Sequence, residues 1–151
     1  MLSTDVGIYR RFSRFLAENN VHFYSQGISN QKSAEFITLA EAFQLIPMEI
    51  PENSVFVKMD IEQFEFRVLS NLLNFQEYIN GLVIEFHDLD ILRSQFVELS
   101  RQLKAHFEIT HIHGNNYGGL IPNSRVPKVL EITFLKKTLI SDQAPICQSV
   151  T

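Results

Sequence analysis

Two apolar runs separated by one helix-length segment most constrain the fold of this 151-residue chain. The first run, residues 55–61, is nearly continuous in apolar and β-branched side chains, which is typical of a buried strand. Residues 64–79 then place apolar side chains at spacings of three and four, which predicts a helix. The second run, residues 82–86, follows Asn80 and Gly81, a pair that commonly ends a helix. Strand, helix and strand in this order predict a right-handed crossover between two parallel strands.

A second helix and two further strands follow the crossover. Apolar side chains recur at helical spacing over residues 92–103, which predicts a helix. Residues 107–113 return to a strand-like pattern. Residues 129–135 alternate between apolar and polar side chains, as in a strand that is buried on one face. Only a loop rich in Gly, Asn and Pro separates these two runs. Because no helix-length segment lies between them, we expect the two strands to be antiparallel neighbours.

The first fifty residues carry shorter signals. Residues 8–20 place apolar side chains at helical spacing, and residues 21–25 form a short strand-like run that stops at a turn-rich cluster. Thr38, with Glu41 three positions later, forms a capping-box pattern. This pattern predicts the start of a short helix that Pro47 ends.

The composition is that of one folded domain. Of the 151 residues, 45% are hydrophobic and 20% are charged, an apolar content sufficient to bury a core. We therefore predict one α/β domain over residues 1–140 and a loose polar tail over residues 141–151. The net charge of −4 with scattered basic residues argues against nucleic acid as the partner. No segment approaches the roughly 18 apolar residues of a membrane span, and Cys147 is the only cysteine, so we expect a cytoplasmic protein without membrane contacts.

Polar side chains collect where the predicted strands end. In open α/β sheets, ligands bind outside the carboxyl ends of the strands, so these residues are the first candidates for a site. If the strands lie side by side, their polar ends line one rim of the sheet. The candidates are Ser25 and Gln26; Lys58, Asp60 and Glu62; Glu85, His87 and Asp88; and His111, His113, Asn115 and Asn116.

Each of these side chains also has a structural interpretation. Asp60 or Glu62 could cap the helix that follows, because a carboxylate at a strand end often accepts hydrogen bonds from backbone N–H groups of the next helix. Glu85 and His87 lie two residues apart and hence on one face of their strand. A hydrogen-bonded pair that only stabilises the fold is as much expected there as a catalytic pair.

The two later histidines suggest a metal site. His111 and His113 share a face of their strand, and a His-x-His pair is a common but weakly specific metal-binding pattern. Together with Asp60, Glu85 and His87, the donor set suits Zn, Mn or Fe. A metal-dependent site built on the His-x-His pair is therefore one alternative function.

The combination of strand ends resembles the later part of the FkbM-like methyltransferases, over about residues 21–137. In that family a strand that ends in Asp-Ile/Val-Glu-Gly-x-Glu is the fourth of a class I methyltransferase sheet, and an Ile-Glu-x-His strand is the fifth. Residues 27–29 look like the end of the third. The resemblance implies an incomplete Rossmann-like sheet of parallel strands with an antiparallel C-terminal strand. The segments that carry it are residues 58–65, 82–87, 111–116 and 127–134.

The resemblance implies methyl transfer from S-adenosylmethionine to a hydroxyl group of a small metabolite or sugar. Asp60 would lie closest to the methyl-donor pocket, and Glu62 would support it. The carboxylate of Glu85 or one of the imidazoles would position or deprotonate the acceptor oxygen, and two amides would hydrogen-bond the acceptor. The implied site residues are Asp60, Glu62, Glu85, His87, His113, Asn115 and Asn116.

Two departures from the family pattern concern the cofactor. Gln63 replaces the family's glycine in the turn after the fourth strand, where the backbone usually passes close to another group. The family holds S-adenosylmethionine through a Gly-rich turn after its first strand and an acidic residue after its second. No Gly-x-Gly occurs before Gly114. We therefore expect the chain alone neither to bind the cofactor nor to be active.

The family's first two strands have no counterpart in this sequence, and their absence also predicts a partner. In the family the fourth strand pairs with the first, so residues 55–60 would have an unpaired edge here. Either the first 29 residues cover this edge, or a second copy or a separate upstream chain completes the sheet. A non-catalytic remnant or binding module is the other alternative function, because such a protein keeps the polar rim without the cofactor site.

Overall fold

A computed structural model describes residues 14–18, 21–46, 48–62, 64–115 and 117–141. Residues 14–18 are helical, and the rest of the helix predicted over residues 8–20 lies largely outside the described residues, as does nearly all of the predicted tail. The described strands are β1 (Gly27–Ile28), β2 (Phe36–Ile37), β3 (Val55–Met59), β4 (Ile79–Phe86), β5 (Phe107–Gly114) and β6 (Leu130–Lys136). Three helices separate them, α1 (Leu39–Gln44), α2 (Glu65–Leu72) and α3 (Arg93–His106), with 3₁₀ turns at Leu73–Phe75 and Lys137–Leu139.

One mixed sheet of four strands organises the molecule, in the order β3, β4, β6, β5. β3 pairs in parallel with β4, and α2 lies between them in the chain, which confirms the predicted order of strand, helix and parallel strand. β6 is antiparallel to both β4 and β5 and lies between them, which confirms that the last two strands are antiparallel neighbours. The fold is therefore α/β, with three strands that run one way and a C-terminal strand that runs the other way.

The core forms where α2 packs on one face of this sheet. In β4, every second side chain from Leu82 to Phe86 is fully buried, as expected for a strand in the interior of a sheet. Val68, Leu69 and Leu72 of α2 are buried in the same cluster, because residues three and four apart share one face of a helix. Glu85, which alternates with these buried side chains of β4, lies on the opposite face of the sheet.

Two boundaries differ from the sequence prediction, and in both cases a glycine lies in a strand against an aromatic ring of the neighbouring strand. Residues 21–25, predicted as a strand, are exposed and lie outside any strand. The strand that does form, β1, begins at Gly27, within the predicted turn. A Cβ on Gly27 would lie 2.7 Å from the ring of Phe36 on β2, so the glycine allows this close pairing. The two-residue strand β1 pairs in parallel with β2, in a small sheet separate from the four-stranded one.

The second difference concerns Asn80 and Gly81, which were predicted to end the long helix. The helix α2 ends at Leu72 instead, a 3₁₀ turn follows, and both residues lie inside β4. A Cβ on Gly81 would lie 2.7 Å from the ring of Phe56 on β3. The glycine therefore leaves room for an aromatic ring of the neighbouring strand and does not mark a helix end.

The predicted capping box is confirmed at the start of α1. The Thr38 side chain accepts a hydrogen bond from the backbone N–H of Glu41, and the Glu41 carboxylate accepts one from the backbone N–H of Thr38. Lys32 pairs with the same carboxylate. Pro47, which was predicted to end this helix, lies outside the described residues. Among the described helices, none is both long and apolar enough to span a membrane.

The outer edge of β3 predicts association. Among the described residues β3 pairs only with β4, and Phe56 on this strand is 55% exposed. Since an unpaired edge is a template for another strand, we expect the purified chain to sediment as dimers or larger species. A lysine on the edge should oppose such pairing, so Phe56→Lys is expected to shift the sedimentation profile towards the monomer.

Ile91→Lys provides the matched control for this prediction. Ile91 is 75% exposed in the turn before α3, outside the sheet, so the same change of charge there should leave the profile as it is. A sharply monomeric profile for the unmodified chain, with a cooperative thermal transition, would contradict the prediction. It would indicate that the N-terminal segment covers the edge.

Candidate functional site

Three of the predicted site residues meet at the carboxyl ends of β3 and β4. Asp60 directly follows β3, Glu85 lies near the end of β4, and His87 directly follows β4. One donor atom from each of these side chains lies within 4.8 Å of the donor atoms of the other two. The parallel pairing of β3 and β4 brings the two strand ends to the same edge of the sheet, which explains the convergence.

A fully buried carboxylate lies within hydrogen-bond distance of the imidazole of His87. Nδ1 of His87 lies 2.8 Å from Oε1 of Glu65, the first residue of α2. The same oxygen accepts a hydrogen bond from the backbone N–H of Ile61 at 3.3 Å. Because a carboxylate can only accept, this contact assigns the proton to Nδ1 and leaves Nε2 as the atom that faces the cluster.

Glu65 is not among the predicted site residues, although the sequence holds a signal for it. Glu65 stands in the apolar stripe of α2, at positions i, i+3, i+4 and i+7 with Val68, Leu69 and Leu72. All four side chains are buried. A carboxylate in a core position of a helix needs a partner, since a buried charge without one is costly. The partner here is His87.

Carboxylates surround the free side of the imidazole. Nε2 of His87 lies 3.6 Å from Oε2 of Glu62 and 3.9 Å from Oδ1 of Asp60. Burial by itself would lower the pKa of His87. The hydrogen bond to Glu65 and the negative charges of Glu65, Glu62 and Glu85 outweigh burial, so the pKa is raised above its ordinary value.

Asn115 fixes the third member of the cluster. Its side-chain amide donates a hydrogen bond to Oε1 of Glu85 at 2.7 Å. The amide oxygen of Asn115 accepts one from the backbone N–H of Tyr117 at 2.8 Å, and its own backbone N–H bonds to Val129. Asn115 therefore orients the carboxylate of Glu85. Asn116, predicted beside it, lies outside the described residues.

The structure does not bring His113 into this cluster. β6 lies between β4 and β5, so His113 is in register with Glu131 on β6, and Glu131 is in register with Glu85 on β4. His113 therefore shares a row with Glu85 but is one strand removed from it. Its ring instead stacks on His111 at 6.5 Å between ring centroids.

The His-x-His pair borders an ion pair and not the predicted metal ligands. Among the described residues, no group of potential metal ligands includes His111 or His113. The neighbouring Glu131 accepts a hydrogen bond from Lys58 at 2.7 Å. The pKa of Glu131 is lowered, first by this bond and further by the two imidazoles. Ser25 and Gln26, predicted on the same rim, are exposed residues that precede β1.

Both turns that border the cluster contain a residue in the left-handed region of backbone space. Glu62, two residues after Asp60, has a φ of 50°, and Asp88, directly after His87, has a φ of 52°. Non-glycine residues seldom adopt this conformation, and such positions occur often at functional sites. Gln63, which stands where the family has glycine, lies outside the described residues.

Comparisons with known proteins identify no relative: no protein-family model, curated protein or solved structure matches this chain. The chemistry of the cluster and the topology of the sheet therefore carry the functional argument.

Proposed function

We propose that this chain forms the acceptor-binding part of an S-adenosylmethionine-dependent O-methyltransferase. The observation that carries the proposal is the convergence of Asp60, Glu85 and His87 at the carboxyl ends of two parallel strands. An α/β sheet whose C-terminal strand is antiparallel and whose β3 forms an edge also agrees with the sequence resemblance. The acceptor is a small hydroxyl-bearing molecule, such as a sugar or another metabolite.

The cluster has the chemistry that a hydroxyl acceptor needs. A hydroxyl oxygen becomes a methyl acceptor when it is held in line with the donor and its proton is removed. Carboxylates and an imidazole nitrogen accept hydrogen bonds, so Asp60, Glu85 and Nε2 of His87 can hold the hydroxyl hydrogen. Glu65 and Asn115 keep two of these acceptors oriented, because each of them makes a direct hydrogen bond to a cluster residue.

The described residues do not fit the cofactor itself. S-adenosylmethionine supplies the methyl group, and the family holds it on a Gly-rich turn. Gly27 and Gly81 instead pack against the rings of Phe36 and Phe56, and Gly114 packs against Pro127. No glycine of the described segments before β5 is free to form such a turn. The proposal therefore concerns the acceptor side of the reaction, and calorimetry should detect no micromolar binding of the cofactor to this chain alone.

The proposal is tested by methyl transfer with a pair of matched variants. The chain is expressed together with any in-frame coding sequence that precedes it, and incubated with methyl-labelled cofactor and a panel of sugars and polyhydroxylated metabolites. We expect label in a hydroxyl-bearing acceptor. Glu85→Gln should slow transfer on the order of 100-fold, because it disturbs the alignment of the acceptor oxygen.

Glu131→Gln is the control for this experiment. Glu131 lies directly opposite Glu85 on β6 but belongs to an ion pair with Lys58 outside the cluster. Loss of a partly exposed ion pair has a small effect, so transfer should change by about twofold or less. Absence of transfer by a protein that binds the cofactor would contradict the proposal. Equal loss of activity in the two variants would contradict the assigned site.

A further inference from the structure

We propose that Asp60, Glu85 and His87 bind one divalent ion of a first-row transition metal. The inference rests on the geometry and chemistry of the donor atoms. It goes beyond methyl transfer and does not depend on it, since the same three residues would hold a metal ion whatever reaction takes place beside them.

The donor atoms already lie at nearly the spacing that a metal ion requires. The three atoms are within 4.8 Å of one another. Ligands that each lie about 2.1 Å from an ion can be at most about 4.2 Å apart. Small rotations of the side chains would bring the donor atoms close enough together to share one ion. Asp60 has room for such a rotation, because its side chain is 43% exposed.

A second observation separates this site from an ordinary group of exposed acidic residues. Glu65 is fully buried and directs one oxygen at Nδ1 of His87, and its other oxygen, Oε2, has no hydrogen-bond partner among the described residues. A carboxylate that holds the distal nitrogen of a histidine is the usual arrangement behind a metal ligand, because it fixes the tautomer and orients the ring. Nε2 of His87 is thereby presented to the cluster.

The second carboxylate ligand is oriented in a similar way. Oε1 of Glu85 accepts a hydrogen bond from the side chain of Asn115 at 2.7 Å. A carboxylate has further lone pairs on its two oxygens, so this bond leaves Glu85 able to bind a metal ion. Two of the three proposed ligands therefore have a partner that restricts their motion before any ion binds.

The donor set indicates the class of metal. An imidazole suits Zn²⁺, Fe²⁺ and related ions, and carboxylates suit Mn²⁺ and Mg²⁺, so one imidazole with two carboxylates favours Mn²⁺, Fe²⁺ or Zn²⁺. Mg²⁺ prefers oxygen ligands alone and should bind more weakly. Oε2 of Glu62, 3.6 Å from Nε2 of His87, adds negative charge beside the ion. A divalent cation at this point would offset the negative charge of the carboxylates that lie around one imidazole.

The inference is tested by titration of the untagged full chain with Mn²⁺, followed by electron paramagnetic resonance, and by competition with Zn²⁺. We expect one saturable site per chain. Glu65→Gln should weaken Mn²⁺ binding about 10- to 100-fold through loss of support for His87. Asp60→Asn, at a partly exposed position where the fold should tolerate the change, should weaken binding at least as much.

His113→Ala and Glu131→Gln are the controls, because both residues lie outside the donor group. Each should leave the affinity for Mn²⁺ unchanged while circular dichroism confirms the fold of every variant. Absence of saturable binding of both Mn²⁺ and Zn²⁺ would overturn the inference, as would full affinity in Asp60→Asn. Failure of methyl transfer with intact Mn²⁺ binding would leave this inference standing and count against the proposed function alone.

Discussion

Replacement of His87 by alanine should lower the free energy of unfolding by about 3 to 5 kcal/mol. The reason is the carboxylate of Glu65, which is fully buried and has His87 as its only side-chain partner among the described residues. Removal of the imidazole leaves the buried carboxylate with the backbone N–H of Ile61 as its one remaining hydrogen-bond donor among the described residues. Equilibrium unfolding in urea at neutral pH measures the loss.

A double variant that changes both Glu65 and His87 distinguishes the loss of a partner for the buried charge from a simple loss of packing. Glu65→Met together with His87→Leu removes the buried charge along with its partner, so most of the lost stability should return. His113→Ala is the matched control. His113 is exposed on β5, and its loss should change the free energy of unfolding by about 0.5 kcal/mol or less. A His87→Ala variant as stable as the control would contradict the prediction.

Replacement of Phe86 by alanine should also cost about 3 to 5 kcal/mol. Phe86 is the last residue of β4 and is fully buried. Its ring lies 5.8 Å from that of Phe66 on α2 and 5.1 Å from that of Phe96 on α3, between ring centroids. Its loss would leave a cavity where both helices meet the sheet. Since domains of this size are stable by about 5 to 15 kcal/mol, the effect should be a large shift of the urea midpoint.

A smaller replacement at the same position tests whether the cavity is the cause. Phe86→Leu fills most of the space and should cost less than half as much as Phe86→Ala. Ile91→Ala, at a position that is 75% exposed, should change the free energy of unfolding by about 0.5 kcal/mol or less. Equal effects of alanine and leucine at Phe86 would contradict the explanation. Because Phe86 directly precedes His87, the alanine variant should also weaken Mn²⁺ binding.

Local patterns in the sequence were sufficient to predict the central elements of the fold. The crossover from β3 through α2 to β4 follows from two nearly continuous apolar runs and from the apolar spacings of three and four between them, which indicate which side chains face the core. The start of α1 follows from Thr38 and Glu41, whose contacts span only three residues. The antiparallel pairing of β5 with β6 follows from the length of the loop between them. Each of these signals depends on residues that are close together in the chain.

The two misplaced boundaries show where local patterns are insufficient. Gly27 and Gly81 have the sequence context of turns, yet each lies in a strand beneath an aromatic ring. The rings belong to Phe36 and Phe56, on the neighbouring strands. A sequence pattern cannot indicate which ring will cover a glycine, because strand pairing decides that contact.

Local patterns predicted that polar side chains follow β3 and β4 and that these strand ends lie together, and therefore that Asp60, Glu85 and His87 meet. The neighbours of these three residues depend on how the strands and helices pack. The insertion of β6 between β4 and β5 separates His113 from the cluster, and the packing of α2 on the sheet brings Glu65 to His87 across 22 residues of chain. The period of apolar side chains specifies the face on which a side chain lies. The order of the strands and the position of a helix on the sheet depend instead on contacts between residues that are distant in sequence.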